Sequence, residues 1–470
     1  MIFNSIPFAL FLPIIFILYW IIGSNRQLLQ NSFLLFASVF FYAWWDVRFL
    51  FLLFFAISIG YFIGFWLNKL VKKRRFILFS GMAISLSFLL FFKYYNFFIT
   101  SFSDAFTFFG GKIELQTLKL ILPLGISFYT FKIVGYLVDV YYRRIEVCKN
   151  PMEFFLFVSF FPQISAGPIE NANSLLPQIQ KKRKFNLQQA SEGLKHILWG
   201  LFKKIAIADA CSGYVNDIFS NYQDFPASVL IIGALYFAIQ VYADFSGYSD
   251  IAIGIGKLFG FELMKNFNLP FLSKNITDFW RRWHISLTKW FNEYFFTPVY
   301  TSVRNWGNFG LYFAIFMTFL LSGLWHGANW NYILYGVFQG IAIVLETVTK
   351  KKRKKIEKRL GKKVYLNLSI MTTMVFILFT FIIFRSPTVS KGFDYISRIF
   401  SYNILEMPSK LAYLPIIFIL LSWEWLQRNR THAMDLKHLS TPLRWTIYLG
   451  LTFTMLNYYG QEQEFFYFQF

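Results

Sequence analysis

Long apolar stretches separated by short polar runs dominate the chain, falling first near residues 6–22, 32–47, 48–67 and 76–98. Several run for roughly 17 to 25 residues with almost no charge, enough for an α-helix to cross about 30 Å of hydrocarbon. The first lacks a basic leading region and a small-residue cleavage site, so it reads as a retained span. Ser101 to Gln116, with Gly110-Gly111 and few basic residues, reads as an extracytoplasmic loop. Residues 118–140 are apolar but broken by Pro123 and Gly125, which predicts a kinked or re-entrant helix. Irregular backbone at membrane depth is tolerated only against protein or water, so this region is an expected cavity wall. Residues 153–166 are too short to span and end in FFPQISAGPIE, the composition of a loop dipping into the protein. Further spans are expected near 194–210, 226–243, 246–260, 309–324, 329–347, 365–385, 411–426 and 444–458, with a mixed aromatic and basic stretch over 271–298. The expected fold is all-α: one polytopic membrane domain over residues 1–470, with about eleven transmembrane or re-entrant helices around a central cavity. No inverted repeat of the transporter kind stands out.

Composition agrees with this pattern. Only 15% of the 470 residues are charged, against about a quarter in soluble domains, which excludes a soluble fold. The net charge of +22 would fit nucleic acid in a soluble protein. Here the excess sits in short runs between apolar segments: Lys72–Arg75, Lys181–Lys184, and Lys350–Lys355 followed by Lys358, Arg359, Lys362 and Lys363. Such runs mark cytoplasmic loops beside anionic headgroups, so no nucleic-acid partner is expected. Cys148 and Cys211 are the only cysteines, so neither a disulfide framework nor a cysteine metal site is expected.

Five histidines are available for chemistry. His432 and His438 lie in the polar stretch THAMDLKHLS and read as surface residues, and His196 follows a basic run as an interfacial residue. His326 is different: it sits in FLLSGLWHGANWNYILYGVFQG, almost free of charge. An ionisable group at membrane depth is costly and marks function by default. Gly323, Gly327 and Ala328 remove bulk beside it, and Ser322, Asn329 and Asn331 offer polar partners. His284 lies in NITDFWRRWHISLTKWFNEYFF, where a helix capped by Ser273 or Asn275 places Trp280, His284 and Leu287 on one face. Composition alone favours an interfacial helix there, although its arginines also suit a phosphate-bearing thioester donor. Serine-hydrolase, zincin and P-loop signatures are absent. A proton-relay transporter built on Asp244 and Asp250 is the rival reading.

Five segments in order, PLGISFYTFK (123–132), FFPQISAGPIE (160–170), QVYADFSGYSDIAIG (240–254), DFWRRWHISLTKW (278–290) and SGLWHGANWNYILYG (322–336), resemble the membrane-bound O-acyltransferases. Within that family the chain is similar to the bacterial branch that O-acetylates alginate and peptidoglycan, and the closing FFYFQF (465–470) resembles that branch's C-terminus. Where the branch usually continues P-L-G-G after WFNEYFF, this chain reads TPVYTSVRNWG (297–307), which bears on the acceptor rather than the chemistry. The resemblance implies catalytic roles for His326 and His284, with Asp278, Trp280, Arg281, Arg282, Trp325 and Asn329 lining the substrate site and no metal.

It implies acyl transfer, most simply of acetyl, from cytoplasmic acetyl-CoA to an exported polysaccharide, with no bound cofactor. In that scheme His326 is the general base, a backbone N–H near Gly327 or the Asn329 amide supports the oxyanion, and an extracytoplasmic SGNH-type partner finishes the transfer. The bacterial cytoplasmic membrane is the expected location. A D-alanyl or lipid-acyl transferase of the same superfamily is the alternative.

Overall fold

The computed structural model describes residues 1–23, 25–110, 115–401 and 406–460, with Gln463 and Phe465. Residues 111–114 of the expected loop and 466–470 of the FFYFQF segment therefore lie outside the described residues. Every regular element among the described residues is a helix. The chain divides into two compact units, residues 1–194 with 252–264, and residues 195–251 with 265–470.

The first unit holds α1 (Ile6–Ile21), α2 (Gln27–Ala43), α3 (Arg48–Lys69), α4 (Arg74–Phe108), α5 (Ile126–Tyr141), α6 (Pro151–Ser159), α7 (Phe161–Ile164) and α8 (Ala172–Gln180). Helix α4 runs on to Phe108 and absorbs much of the expected polar loop, because nothing in Ser101–Phe108 breaks a helix. Residues 118–123 are not helical, so the kinked or re-entrant helix expected over 118–140 is reduced to α5, which starts just after Pro123 and Gly125. Gly125 has φ +67°, and a Cβ there would lie 1.8 Å from the Ile164 carbonyl oxygen, so glycine is required twice over. The loop Phe160–Asn171 is buried, as expected of a segment dipping into the protein. Lys132 holds it: its Nζ donates to the Phe157 carbonyl at 2.9 Å and to Gln163 Oε1 at 2.6 Å.

Helix α9 (Leu187–Phe202) begins in the first unit and continues into the second. The second unit then carries a π-helical turn (Lys203–Asp209), α10 (Ala210–Ser220), most of α11 (Ala227–Leu258), α12 (Ile276–Trp280), α13 (Ile285–Phe291), α14 (Thr297–Val303), α15 (Asn308–His326) and α16 (Trp330–Val348). It closes with α17 (Lys350–Leu360), α18 (Lys362–Arg385), α19 (Val389–Ser401), α20 (Leu414–Leu426) and α21 (Thr441–Tyr458).

Among the described residues, six helices are long and apolar enough to span a bilayer, namely α3, α4, α11, α15, α16 and α18, and α1, α2 and α20 are shorter apolar helices. The expected pair of spans at 226–243 and 246–260 is one continuous helix, α11. Its polar positions stay helical because buried partners satisfy them. Lys204 pairs with Asp244 at 2.8 Å and Asp209 at 2.7 Å, and Lys203 pairs with Asp250 at 2.7 Å. His196, expected at an interface, is instead buried, with Nδ1 3.6 Å from Asp250 Oδ1. His432, expected on the surface, is half-buried with its ring centroid 4.6 Å from that of His196.

Candidate functional site

Both singled-out histidines fall in the second unit, and both are buried: His284 is 1% exposed and His326 5%. His326 is the last residue of α15, which stops because Gly327 adopts extended backbone (φ −176°) and Asn329 then caps α16 by accepting from the Asn331 N–H at 3.1 Å. The two helices form a tight antiparallel hairpin. A Cβ on Gly323 would lie 2.4 Å from the Tyr332 carbonyl oxygen, and one on Gly327 would lie 2.3 Å from the Tyr332 ring. The glycines beside His326 therefore serve the close approach of α15 and α16.

Gly323→Ala is expected to lower the melting temperature of the purified protein, because a backbone oxygen is in the way and overpacking costs about 1–3 kcal/mol. Gly213→Ala, with nothing within 4 Å of its Cβ, should leave melting unchanged or raise it slightly. Equal melting of both variants in detergent would contradict this account of the hairpin.

The His326 ring packs on Trp325 at 4.9 Å, Phe384 at 5.3 Å and Tyr335 at 5.9 Å between centroids. His284 approaches the same Trp325 at 5.9 Å from another element and meets Phe245 edge-on at 4.6 Å. The two imidazoles thus share one indole in a desolvated aromatic pocket. His284 lies outside the six candidate spans. Burial, with the neighbouring His326 imidazole second, holds its pKa well below the ordinary value. His284 is therefore neutral at physiological pH.

The backbone around His284 departs from the expected continuous helix. Residues 281–284 break the run between α12 and α13, and His284 itself is left-handed (φ +43°). Trp280, His284 and Leu287 consequently do not share a helical face. A non-glycine residue in that region costs about 1–3 kcal/mol, and such strain clusters at active sites and ligand clamps. Here the surroundings impose it. The Asn268 N–H donates to the Arg282 carbonyl at 2.9 Å, and the Ile285 N–H to the Asn266 carbonyl at 2.9 Å. Asn266 Oδ1 accepts from Ser286 Oγ at 2.6 Å, while its Nδ2 donates to Ser249 Oγ at 3.0 Å on α11. Asn266 is thus a positioning residue, and sequence reasoning passed over it. The available signal was the pair of amides, Asn266 and Asn268, in the otherwise apolar NFNLPFL run.

The other candidates separate by position. Trp280 is buried, and its Nε1 donates to Gln339 Oε1 at 3.1 Å, while Gln339 Nε2 donates to Thr380 Oγ1 at 3.1 Å. Asp278 pairs with Arg282 at 3.1 Å, both half-buried, after Asn275 caps α12 as expected. Arg281 is exposed. Asn329 caps α16 through its Oδ1, and its Nδ2 donates one hydrogen to the Pro387 carbonyl at 3.4 Å. Asn331 likewise ties to the Ile383 and Ser386 carbonyls, at 3.0 and 2.6 Å. The structure gathers His326, His284 and Trp325 together and leaves Asp278, Arg281 and Arg282 as a more exposed cluster.

Comparison with known proteins places this arrangement. Residues 147–386 match the profile of the MBOAT, membrane-bound O-acyltransferase family, and include both histidines. The chain is 35% identical over 412 residues to "Probable alginate O-acetylase AlgI" of Pseudomonas aeruginosa, covering 87% of this chain and 76% of that one. It is 36% identical over 363 residues to the peptidoglycan O-acetyltransferase of Helicobacter pylori, covering 71% and 68%. To the teichoic acid D-alanyltransferase of Bacillus subtilis it is 31% identical over 280 residues, covering 57% and 69%. With the profile matching half the chain and the O-acetylation relatives aligned along most of it, this multi-pass membrane protein belongs to the membrane-bound O-acyltransferase family, in the branch of the alginate and peptidoglycan O-acetyltransferases.

Proposed function

We propose that the protein transfers an acetyl group from acetyl-CoA on the cytoplasmic side to a hydroxyl reached from the other side, for O-acetylation of an exported polysaccharide. The observation that carries this reading is the pair of buried imidazoles sharing Trp325 in a chain of this family. Coenzyme A cannot cross a bilayer while exported glycans are modified outside it, so a passage for the acyl group alone solves the topological problem. The greater reach of the O-acetylase relatives favours acetyl over D-alanyl as the group carried.

Neutral His326 takes the proton from the attacking hydroxyl as its oxygen bonds to the thioester carbon. The carbon–sulfur bond then breaks, and the proton passes to the leaving thiolate, releasing free coenzyme A. General-base catalysis of this kind contributes about 10²–10⁴ in rate. A backbone N–H near Gly327 supports the oxyanion, worth about 3 kcal/mol if well aimed. His284, held neutral beside Trp325, relays the proton. The bacterial cytoplasmic membrane is the site, and an SGNH-type extracytoplasmic partner receives the acyl group before the polymer does.

His284 distinguishes chemistry from binding. His284→Ala is expected to lose transfer by at least tenfold while retaining wild-type affinity for coenzyme A, measured by calorimetry on the purified protein. Loss of affinity matching the loss of transfer would make it a donor-binding residue and overturn the relay.

A further inference from the structure

The second unit also contains a cavity of about 550 Å³. Its walls come from the start of α12, the end of α16, α17 and the start of α18. Six cations line it, Lys274, Arg281, Lys350, Arg353, Lys354 and Lys362, against three carboxylates. Two of those carboxylates are spent on their own chain. Glu346 accepts from the Ile276 N–H at 2.6 Å and from Thr277 N–H and Oγ1 at 3.1 and 2.8 Å, closing the N-terminus of α12. Asp278 is paired with Arg282. Among the described residues, Lys274, Arg281, Lys350, Lys354 and Lys362 make no ion pair. Arg353 Nη2 donates to the Glu346 carbonyl at 2.7 Å, and its buried Nε has no partner.

Orienting the protein in the membrane needs only basic residues somewhere in a cytoplasmic loop. It does not require cations from separate stretches of chain to converge on one concavity, where like charges repel. Such convergence is repaid when an anion occupies the space. The volume suits a small organic ligand, and arginine beside several lysines suits phosphate oxygens.

We propose that this cavity is a phosphate site on the cytoplasmic face, taking a ligand with clustered phosphoryl groups: the nucleotide end of a soluble thioester donor or the headgroup of an anionic phospholipid. The nucleotide source rests on the donor proposed above; the site itself does not.

The test uses full-length protein carrying His326→Ala, so that binding is read apart from turnover. Lys350→Glu/Lys354→Glu removes cations lining the cavity. Lys351→Glu/Lys352→Glu makes the same charge change on exposed positions of α17 that do not line it. Calorimetry in uncharged detergent measures coenzyme A and 3′-dephospho-coenzyme A, and native mass spectrometry from phosphatidylglycerol nanodiscs measures retained lipid. A loss of at least tenfold in coenzyme A affinity, confined to the cavity variant, establishes the nucleotide source. Loss of retained phosphatidylglycerol, again confined to that variant, establishes the headgroup. The proposal is overturned if the cavity variant keeps wild-type binding of both probes, or if the control variant loses as much. Should the site bind coenzyme A while His326→Ala retains transfer, the site stands and the proposed chemistry falls.

Discussion

His326→Ala is expected to lower the initial rate of acyl transfer in membrane vesicles by about 10²–10⁴, the usual contribution of a positioned general base. The imidazole terminates α15 with Trp325, Tyr335 and Phe384 packed around it. His284 reaches the same Trp325 from another element. The variant should fold, because α15 is held to α16 by its glycine approach rather than by the imidazole. A protein expressed and melting as wild type while transferring at the wild-type rate would remove His326 from the chemistry.

The second large effect is on stability. Lys204→Met should destabilise the protein by about 3–5 kcal/mol, because it leaves two buried carboxylates without their cation. Lys204 and its partners Asp209 and Asp244 are each 3% exposed, so solvent screens them little. Buried pairing also bears on the transporter reading, which needs Asp244 and Asp250 to take up and release cargo charge. Both instead face lysines at 2.8 and 2.7 Å. Replacing the whole trio, Lys204→Met with Asp209→Asn and Asp244→Asn, should recover much of the loss, since amides carry no charge to strand. Thermal denaturation in detergent reads both, and wild-type melting of Lys204→Met alone would contradict the assignment.

Hydrophobic runs made the membrane class and most apolar helices legible, because lipid demands length and apolarity that composition displays directly. The breaks at Pro123 and Gly125 and the buried FFPQISAGPIE loop were legible for the same reason: local backbone chemistry determines them. Less legible was α11. Its YADFSGYSD stretch reads as a boundary between two spans, but it runs on as one helix whose buried carboxylates meet Lys203 and Lys204 from a π-helical turn. Periodicity also misread residues 281–284, since the left-handed turn at His284 is imposed by Asn266 and Asn268 from a neighbouring segment. Motif proximity alone cannot tell a ligand-facing polar group from a helix cap. Asn329 shows this: its sequence position beside His326 fits an oxyanion donor, and its hydrogen bonds make it the cap of α16.

The most direct measurement is the ester-linked acetate released by mild base from the exported polymers of three strains: a deletion of the gene, and the deletion complemented with wild type or with His326→Ala. The account predicts that acetate disappears on deletion, returns with the wild-type gene and does not return with His326→Ala. Unchanged acetate in the deletion strain, or full restoration by His326→Ala, would contradict it.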